Sequence, residues 1–297
     1  MATLVEMIKA DPKVQAVFQE YEVALTDQIV LRNLMNLNLF LQDAKYDCSD
    51  LKKPCERPNH DKVTLIYRND MFYAAKTKCE HYLAAHPFEK IRRQFIYENI
   101  NMENYQGSLT QIGKDFRKGD ADYEQSMEQL LTTIKKIISA DSKKGLLIFG
   151  KARVGKTYLL KAIAKKYAEH KKTVVITTFE ELCNKIRDAF ERDFNVDAVT
   201  VEKCKTADIL LLDDIGVEKV TKWNRDEVLF PIINYRIEHQ KLTFFTSNFT
   251  MEELAKHYTN VSDSKDVKAN KVGAERIMGR LRELINYPME IRGKFKN

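Results

Sequence analysis

The sequence is poor in cysteine, glycine and proline, and it has no long apolar run. Its 297 residues include five cysteines, an odd and small number that argues against a disulfide framework. No apolar run approaches the roughly 18 residues of a membrane-spanning helix. The opening MATLVEMIKADPK lacks the basic-then-apolar pattern of a secretory signal. These absences predict a cytoplasmic protein that has no membrane partner.

The composition that remains is typical of a globular protein. Hydrophobic residues make up 44% and charged residues 31% of the chain, whose length is sufficient for two domains. The net charge of +6 permits nucleic-acid binding, although evenly spread surface lysines explain it more simply. No Gly/Pro/Ser-rich spacer, internal repeat or low-complexity tract marks a linker. We place the boundary near residue 92, which gives domains 1–92 and 93–297.

The first domain is predicted to be mainly helical. Asp11 can cap a helical region that extends over 11–45, because apolar residues recur there at helical spacing. The stretch KVTLIYRNDMFYAAK is typical of a β-hairpin that turns at Asn69 and Asp70. Residues 80–118 are predicted to be charged helix and loop.

The second domain is predicted to be α/β. Continuous apolar runs (GLLIF, TVVITT, DILLLDDIG and LTFFTSN) alternate with amphipathic helix patterns such as TYLLKAIAKKYAEH and FEELCNKIRDAFERDF. This alternation indicates a parallel sheet that is covered by helices on both faces. Ligands of such sheets bind at the carboxyl ends of the strands, so the polar residues that follow the apolar runs are candidate site residues.

A phosphate-binding loop is predicted at GKARVGKT, directly after GLLIF. Its two glycines let the backbone wrap around a polyphosphate so that successive N–H groups point inward. Lys156 supplies a charge to the β- and γ-phosphates and Thr157 a hydroxyl to Mg²⁺, while the positive end of the next helix faces the same anion. The residues assigned to nucleotide binding are Gly150, Lys151, Ala152, Arg153, Val154, Gly155, Lys156, Thr157 and Tyr158.

Three further polar residues follow apolar runs. An apolar strand that delivers a carboxylate toward a phosphate loop can hold Mg²⁺, so Asp213 is assigned to the metal. Asp214 is the candidate for orienting or deprotonating the attacking water. Asn248 ends LTFFTSN, and its amide can bridge the γ-phosphate or the water without adding charge.

The segment GAERIMGRLREL is predicted to be a helix with a basic face. Arg276 and Arg280 share one face, whereas Ile277 and Leu281 face the core. An arginine from a neighbouring subunit can stabilise the charge that develops on a transferred phosphoryl group. A solvated basic face is the alternative interpretation of the same pattern.

One short region of the first domain contains four potential zinc ligands: Cys48, Cys55, His60 and Cys79. They suffice for a tetrahedral structural zinc, but the spacing C-x₆-C-x₄-H-x₁₈-C is looser than that of a usual zinc knuckle. The residues alone leave open both a zinc site and a set of reduced thiols beside a surface histidine. Cys183 and Cys204 are predicted to be ordinary thiols.

The motifs GKARVGKT, LLLDDIGVE, WNRDEV, TFFTSN and ERIMGRLRELINYP, in that order, resemble the AAA+ ATPases of the bacterial replicative-helicase loaders, the DnaC/DnaI family. The resemblance is to the Gram-positive DnaI branch and extends over almost the whole chain, including DPKVQAVF near the start. It implies an AAA+ domain that binds ATP and single-stranded DNA. It also implies an N-terminal domain that grips the hexameric replicative helicase.

The resemblance assigns roles to single residues. The matching positions are Gly155, Lys156 and Thr157 for Walker A, Asp213 and Asp214 for Walker B, Asn248 for sensor I, and Arg276 and Arg280 for the arginine-finger helix. Arg280 is expected to be the finger. The second Walker B acid is Asp rather than Glu, and its shorter reach suggests slow hydrolysis. Only 49 residues follow Asn248, which agrees with the reduced lid of the family.

The resemblance also favours zinc, because DnaI-type loaders carry a zinc-binding N-terminal domain. A C-x₂-C knuckle would need a cysteine at the position of Lys45, so Cys55 is recruited instead. His81 is the reserve ligand. The resulting zinc set is Cys48, Cys55, His60 and Cys79.

The predicted function is an ATP-dependent loader that binds the hexameric replicative DNA helicase, assembles on it and delivers it to single-stranded DNA. An adaptor that ATP switches without hydrolysis is one alternative. A transposition helper ATPase is another, and the cysteine-bearing domain argues against it. Candidate DNA contacts are Lys185, Lys222 and Trp223, although helix packing is the simpler role for Trp223.

Overall fold

Two units are distinguished in the computed structural model, which describes residues 4–192 and 195–295. They comprise residues 1–90 and 91–297. The N-terminal unit contains five helices and one hairpin, with short 3₁₀ turns at Pro58–His60 and Pro87–Lys90. Its elements are α1 (Leu4–Ala10), α2 (Pro12–Glu20), α3 (Asp27–Arg32), α4 (Leu34–Asp43), β1 (Asp61–Arg68), β2 (Met71–Lys78) and α5 (Glu80–Ala85).

The predicted hairpin is confirmed. Strands β1 and β2 pair antiparallel from Asp61 and Lys78 to Arg68 and Met71, so that the turn lies at Asn69 and Asp70, which both adopt a positive φ. Helix α4 packs against both strands. A small core is buried between helices and hairpin, in which the rings of Phe18 and Phe72 lie 4.7 Å apart.

The helical region predicted over 11–45 is interrupted. Asp11 caps α2 as expected, because its carboxylate accepts hydrogen bonds from the N–H groups of the first helical turn. The chain leaves this helix at Glu22, whose φ is 54°, and the next helix begins where the hydroxyl of Thr26 accepts the N–H of Ile29. A left-handed residue followed by a new cap divides the region into α2, α3 and α4.

The second unit is built on a six-stranded sheet. Its elements are β3 (Phe95–Glu98), α6 (Leu109–Asp115), α7 (Ala121–Ser139), β4 (Gly145–Phe149), α8 (Lys156–Glu169), β5 (Val174–Thr178), α9 (Phe179–Arg192), α10 (Asn195–Thr206), β6 (Ile209–Asp213), α11 (Phe230–Glu238), β7 (Leu242–Ser247), α12 (Met251–Thr259), α13 (Val267–Leu284) and β8 (Ile285–Glu290). Short 3₁₀ turns occur at Arg92–Gln94 and Phe116–Lys118, and a π-helical segment, Trp223–Leu229, leads into α11.

The predicted parallel α/β sheet is confirmed. The strand order is β3-β5-β6-β7-β4-β8, and every recorded pairing in it is parallel. The strands β4, β5, β6 and β7 are buried along nearly their whole length, as expected for a sheet with helices on both faces. The phosphate loop and the two polar strand ends therefore meet at one edge of the sheet.

The expectation of only helix and loop over 80–118 is wrong, because that stretch contains β3. This strand is four residues long and only half-buried, so it carries neither the alternation nor the apolar run by which strands are recognised. It pairs with β5 at the edge of the sheet. Among the helices of the described residues, none is long and apolar enough to cross a membrane.

Candidate nucleotide site and metal centre

The predicted phosphate loop connects β4 to α8. Gly150 and Gly155 both have positive φ angles, 145° and 96°, which side chains disfavour. A Cβ atom on Gly150 would lie 2.5 Å from the carbonyl oxygen of Ile291. The loop shape therefore requires glycine at 150 both for its backbone angle and for its space.

Lys156 is the first residue of α8, and its side chain is buried. Its Nζ donates hydrogen bonds to the carbonyl oxygens of Gly150 and Lys151, each at 2.9 Å, and to Oδ1 of Asn248 at 2.7 Å. Burial lowers the pKa of Lys156, while the charges of Asp214 and Asp213 act in the opposite direction. The structure thus brings together the predicted lysine and the predicted asparagine.

Asp213 ends β6 and is buried. Its Oδ2 accepts a hydrogen bond from Oγ1 of Thr157 at 2.8 Å, and its Oδ1 accepts one from Oγ1 of Thr246. Burial raises the pKa of Asp213, although both hydroxyls and Lys156 oppose the shift. Hydroxyl and carboxylate oxygens are ligands that Mg²⁺ accepts, so the donor set of Thr157 and Asp213 fits this ion.

Asp214 follows as a half-buried residue in the left-handed region, with φ 51°. Its N–H donates to Oγ1 of Thr246 at 2.8 Å. Sequence reasoning did not single out Thr246. A threonine inside an apolar strand resembles ordinary strand composition, and no spacing signal distinguishes it.

A cavity of about 520 Å³ adjoins the phosphate loop. Its lining is largely aromatic and aliphatic, which suits a nucleobase better than a phosphate. Apart from Tyr158, sequence reasoning missed the lining that lies outside the loop. The lining residues are Ile112, Asp115, Phe116, Lys118, Tyr123, Arg153, Val154, Gly155, Tyr158 and Phe295.

The two predicted finger arginines lie on α13, as expected, with Ile277 and Leu281 buried on its opposite side. The guanidinium carbon of Arg276 lies 3.8 Å from the centre of the Phe230 ring. Arg280 forms an ion pair with Glu283 at 3.0 Å. Neither of these contacts is with the phosphate loop.

A second cluster lies in the N-terminal unit. Ligand atoms of Cys48, Cys55, Cys79 and His81 all lie within 4.8 Å of one another. His60, the predicted fourth ligand, lies outside this group, although its Nδ1 is 3.6 Å from Sγ of Cys79. The histidine of the group is therefore His81, the reserve ligand, and not His60.

The junction between β2 and α5 places His81 close to Cys79. Cys79 is the N-cap residue of α5, and His81 lies in the first turn, so both side chains start from the same point. Nε2 of His81 hydrogen-bonds the carbonyl oxygen of Lys53 at 2.9 Å. Nδ1 of His81 is buried and has no hydrogen-bond partner among the described residues, so it is the nitrogen left for a metal.

The thiols differ in acidity. Burial raises the pKa of Cys55. Burial also acts to raise the pKa of Cys79, but the N–H groups of Tyr82 and His81 and the neighbouring thiols outweigh it, so the pKa falls. A thiol at a helix N-terminus is readily converted to the thiolate that binds zinc.

The candidate DNA contacts lie on α9 and at the start of the π-helical segment. Lys185 on α9 and Lys222 are exposed. Trp223 is half-buried and packs against the core of the domain, and the guanidinium carbon of Arg187 lies 5.5 Å from the centre of its ring. Packing within the domain is therefore the main role that the structure indicates for the Trp223 side chain.

Comparisons with known proteins agree with this architecture. The family model of the bacterial DnaA ATPase domain matches residues 124–264. The replicative helicase loader DnaI of Bacillus subtilis (strain 168) is 29% identical over 283 residues, which are 93% of this chain and 86% of the relative. A crystal structure of a DnaI is 31% identical, with a TM-score of 0.53, and covers 66% of this chain and 95% of its own.

The chain belongs to the DnaC/DnaI family. The replicative helicase loader DnaC of Escherichia coli (strain K12) is 24% identical over 162 residues, 54% of this chain and 60% of the relative. The second unit is an AAA+ ATPase domain, which implies a nucleotide and Mg²⁺ as its ligands. After Asn248 the chain forms α12 and α13, which pack against each other, and the edge strand β8.

Proposed function

We propose that this protein is an ATP-dependent loader that binds a hexameric replicative DNA helicase and delivers it to single-stranded DNA. The observation that carries the proposal is the similarity to the Bacillus subtilis loader, which extends over both units of the chain. A chain that shared only its ATPase domain with the loaders would support an ATPase of unspecified purpose. Similarity in the N-terminal unit adds the part that would hold the helicase.

In the proposed nucleotide site, Lys156 binds the β- and γ-phosphates. In the structure its ammonium group is held by two carbonyl groups and Asn248, so it is already directed toward the loop. Thr157 and Asp213 hold Mg²⁺, which supplies positive charge to the phosphates when bound. Asp214 orients the attacking water, with Asn248 beside it. The cavity next to the loop receives the base.

The residues that complete hydrolysis come from a neighbouring subunit. Arg280 is the proposed finger, with Arg276 on the same helix face. In the single chain Arg280 is paired with Glu283, an exposed ion pair that costs little to break. An arginine finger is worth several powers of ten in rate. Hydrolysis therefore depends on self-assembly on the helicase, and a lone subunit is nearly inactive.

The N-terminal unit is proposed to hold one Zn²⁺ through Cys48, Cys55, Cys79 and His81. Three thiols and one imidazole form a usual tetrahedral structural set. The hydrogen bond between His81 and the carbonyl of Lys53 fixes the ring, as partners of zinc ligands commonly do. The ion would stabilise the surface that grips the helicase.

Single-stranded DNA is proposed to bind the ATPase domain through exposed basic residues, including Lys185 and Lys222. Neutralising phosphates releases counterions, so binding falls steeply as salt increases. Trp223 contributes mainly through packing.

The test uses the full chain and the replicative helicase of the same source. We expect the two proteins to co-purify. We also expect the loader to increase unwinding of a DNA fork whose single strand has no free end onto which the helicase ring could thread. Lys156→Ala should abolish both ATP binding and this stimulation, because the phosphates lose their cation. Lys166→Ala, on the outer part of the same helix, is the matched control.

Two outcomes would contradict the proposal. Failure of the wild-type chain to bind the helicase under any nucleotide condition would exclude a loader. Stimulation that persists undiminished in Lys156→Ala would exclude ATP dependence. Asp214→Asn separates hydrolysis from binding, because an intact loading activity in that variant would favour an ATP-switched adaptor.

A further inference from the structure

The hydroxyl of Thr246 contacts both predicted Walker B acids. It donates its proton to Oδ1 of Asp213, and its oxygen accepts the backbone N–H of Asp214 at 2.8 Å. Thr246 lies one residue before the end of β7, on the strand that pairs with β6, and it is fully buried. One side chain on the sensor strand thus contacts the carboxylate of Asp213 and the backbone of Asp214.

The two hydrogen bonds have different consequences. The bond to Asp213 fixes one carboxylate oxygen, while Thr157 holds the other at 2.8 Å, so the carboxylate plane cannot rotate freely. The bond from Asp214 holds a backbone with φ 51°, a conformation that costs a non-glycine residue free energy unless its surroundings impose it. Without the hydroxyl, both restraints are lost together.

Neighbouring contacts show that β7 holds the rest of the turn by other means. The N–H of Ile215 donates to the carbonyl oxygen of Thr246 at 2.9 Å, and Oγ of Ser247 donates to the carbonyl oxygen of Ile215 at 2.6 Å. These bonds do not involve the Thr246 side chain. Removal of its hydroxyl should therefore disturb the two acids more than the path of the chain.

We propose that Thr246 is a positioning residue that sets the geometry of Asp213 toward Mg²⁺ and of Asp214 toward the attacking water. The inference rests on the proposed role of these acids in Mg²⁺-dependent ATP binding and hydrolysis. Thr246 is not itself proposed to contact the nucleotide or the metal. It acts by holding the carboxylate of Asp213 and the backbone from which the Asp214 side chain projects.

The test compares four full-length proteins: wild type, Thr246→Val, Thr246→Ser and Thr177→Val. Valine keeps the shape of threonine but can neither donate nor accept, whereas serine keeps the hydroxyl. Thr177 is a buried threonine of β5, the strand on the other side of β6, and its hydroxyl donates to the carbonyl oxygen of Thr178, so its valine variant is the matched control. ATP binding is measured by calorimetry with Mg²⁺ and with chelator.

We expect Thr246→Val to lose about tenfold or more of the affinity gain that Mg²⁺ gives, since a hydrogen bond to a charged group contributes on this scale. Its ATP affinity in chelator should stay close to that of the wild type. Thr246→Ser and Thr177→Val should keep the Mg²⁺-dependent gain. A purely structural role would instead lower affinity equally with and without the ion.

The proposal is overturned if Thr246→Val retains the full Mg²⁺-dependent gain, or if serine loses as much as valine. If the valine variant does not fold, Thr246→Ala and Thr246→Ser differ only by the hydroxyl, and equal Mg²⁺ dependence in that pair also overturns it. Absence of Mg²⁺-dependent ATP binding in the wild type is a different result. It would remove the proposed nucleotide function and not merely the role of Thr246.

Discussion

The nucleotide site and the cysteine cluster reach their geometry in different ways. In the nucleotide site the polar groups are bonded to one another by protein atoms alone: Lys156 has three acceptors, and Asp213 accepts two hydroxyls. In the cysteine cluster Nδ1 of His81 is buried and has no hydrogen-bond partner in the part of the chain that the structure describes. The protein's own hydrogen bonds hold the first site together, whereas a bound metal ion would satisfy the unpartnered nitrogen of the second.

The surroundings of each site explain the difference. The nucleotide residues project from the ends of buried strands in a six-stranded sheet, which holds them whether or not a ligand is present. The residues of the cysteine cluster project from loops, from the junction between β2 and α5 and from that six-residue helix. Among the described residues, the only sheet of this unit is a hairpin. A unit of this size has a small core, and a metal ion at the cysteine cluster would add stability that the core lacks.

The largest effect that we expect concerns the metal. Removing zinc should unfold residues 46–80 and leave the ATPase domain folded, because structural zinc contributes roughly 10 kcal/mol to the domains that depend on it. Hydrogen exchange of the full chain, measured with and without chelator, reports on the two units separately. Equal protection of 46–80 under both conditions would remove the contrast between the two sites.

Two histidine variants sharpen this test. His81→Ala should lower the zinc content of the purified protein well below one ion per chain, whereas His60→Ala should keep it. Elemental analysis gives the answer directly. Loss of zinc in His60→Ala with retention in His81→Ala would reverse the assignment of the fourth ligand.

A smaller but still large effect is expected inside the ATPase domain. Arg236 is fully buried, and it donates to Oγ1 of Thr243 and to carbonyl oxygens around the end of α10 and the start of β7. Arg236→Met leaves these acceptors without a donor. We expect the free energy of unfolding to fall by about 4 kcal/mol, since several buried polar groups lose their partner at once.

Urea denaturation of the full chain measures this loss, and Arg282→Met, at an exposed position on α13, is the control. A loss below about 1 kcal/mol, the worth of a single ordinary hydrogen bond, would show that the hydrogen bonds of Arg236 contribute little to the stability of this domain.

The smallest effect concerns a buried acid in the same domain. Burial raises the pKa of Glu218 to about 7 from 4.5, although the N–H groups of Glu218 and Gly216 and the hydroxyl of Tyr258 oppose the shift. The folded protein therefore binds the proton more tightly than the unfolded chain does. Its contribution to stability is complete below about pH 4.5 and is lost as the pH rises toward 7.

We expect Glu218→Gln to flatten this decline and to raise the free energy of unfolding at pH 8 by about 2 kcal/mol. Unfolding measured from pH 5 to 8 tests it, with the exposed Glu252→Gln as the control. An unchanged pH dependence would show that Glu218 is not a neutral buried acid.

The nucleotide site could be placed from the sequence because its residues follow recognisable patterns. Apolar runs locate the strands, the phosphate loop has a fixed spacing, and parallel strands bring Lys156, Asp213 and Asn248 to one edge. Thr246 could not be found in this way. Its role depends on the pairing of β6 with β7, which brings residues 33 positions apart into contact.

The cysteine cluster shows the opposite limit. His60 follows Cys55 closely in the sequence and His81 follows Cys79 closely, so spacing alone does not decide between the two histidines. The decision depends on how the chain enters α5 and on the left-handed backbone at Asn59 and His60. Such local geometry follows from tertiary packing. It cannot be predicted from the pattern of residue types alone.

The position of Trp223 has a practical consequence. It is the single tryptophan of the chain, and it lies in the π-helical segment between β6 and α11, half-buried beside Arg187. Tryptophan fluorescence therefore reports on one place, the π-helical segment that follows Asp213 and Asp214 in the chain. The N-terminal unit is silent in this signal. A spectral change on adding nucleotide can be attributed to the ATPase domain without any label.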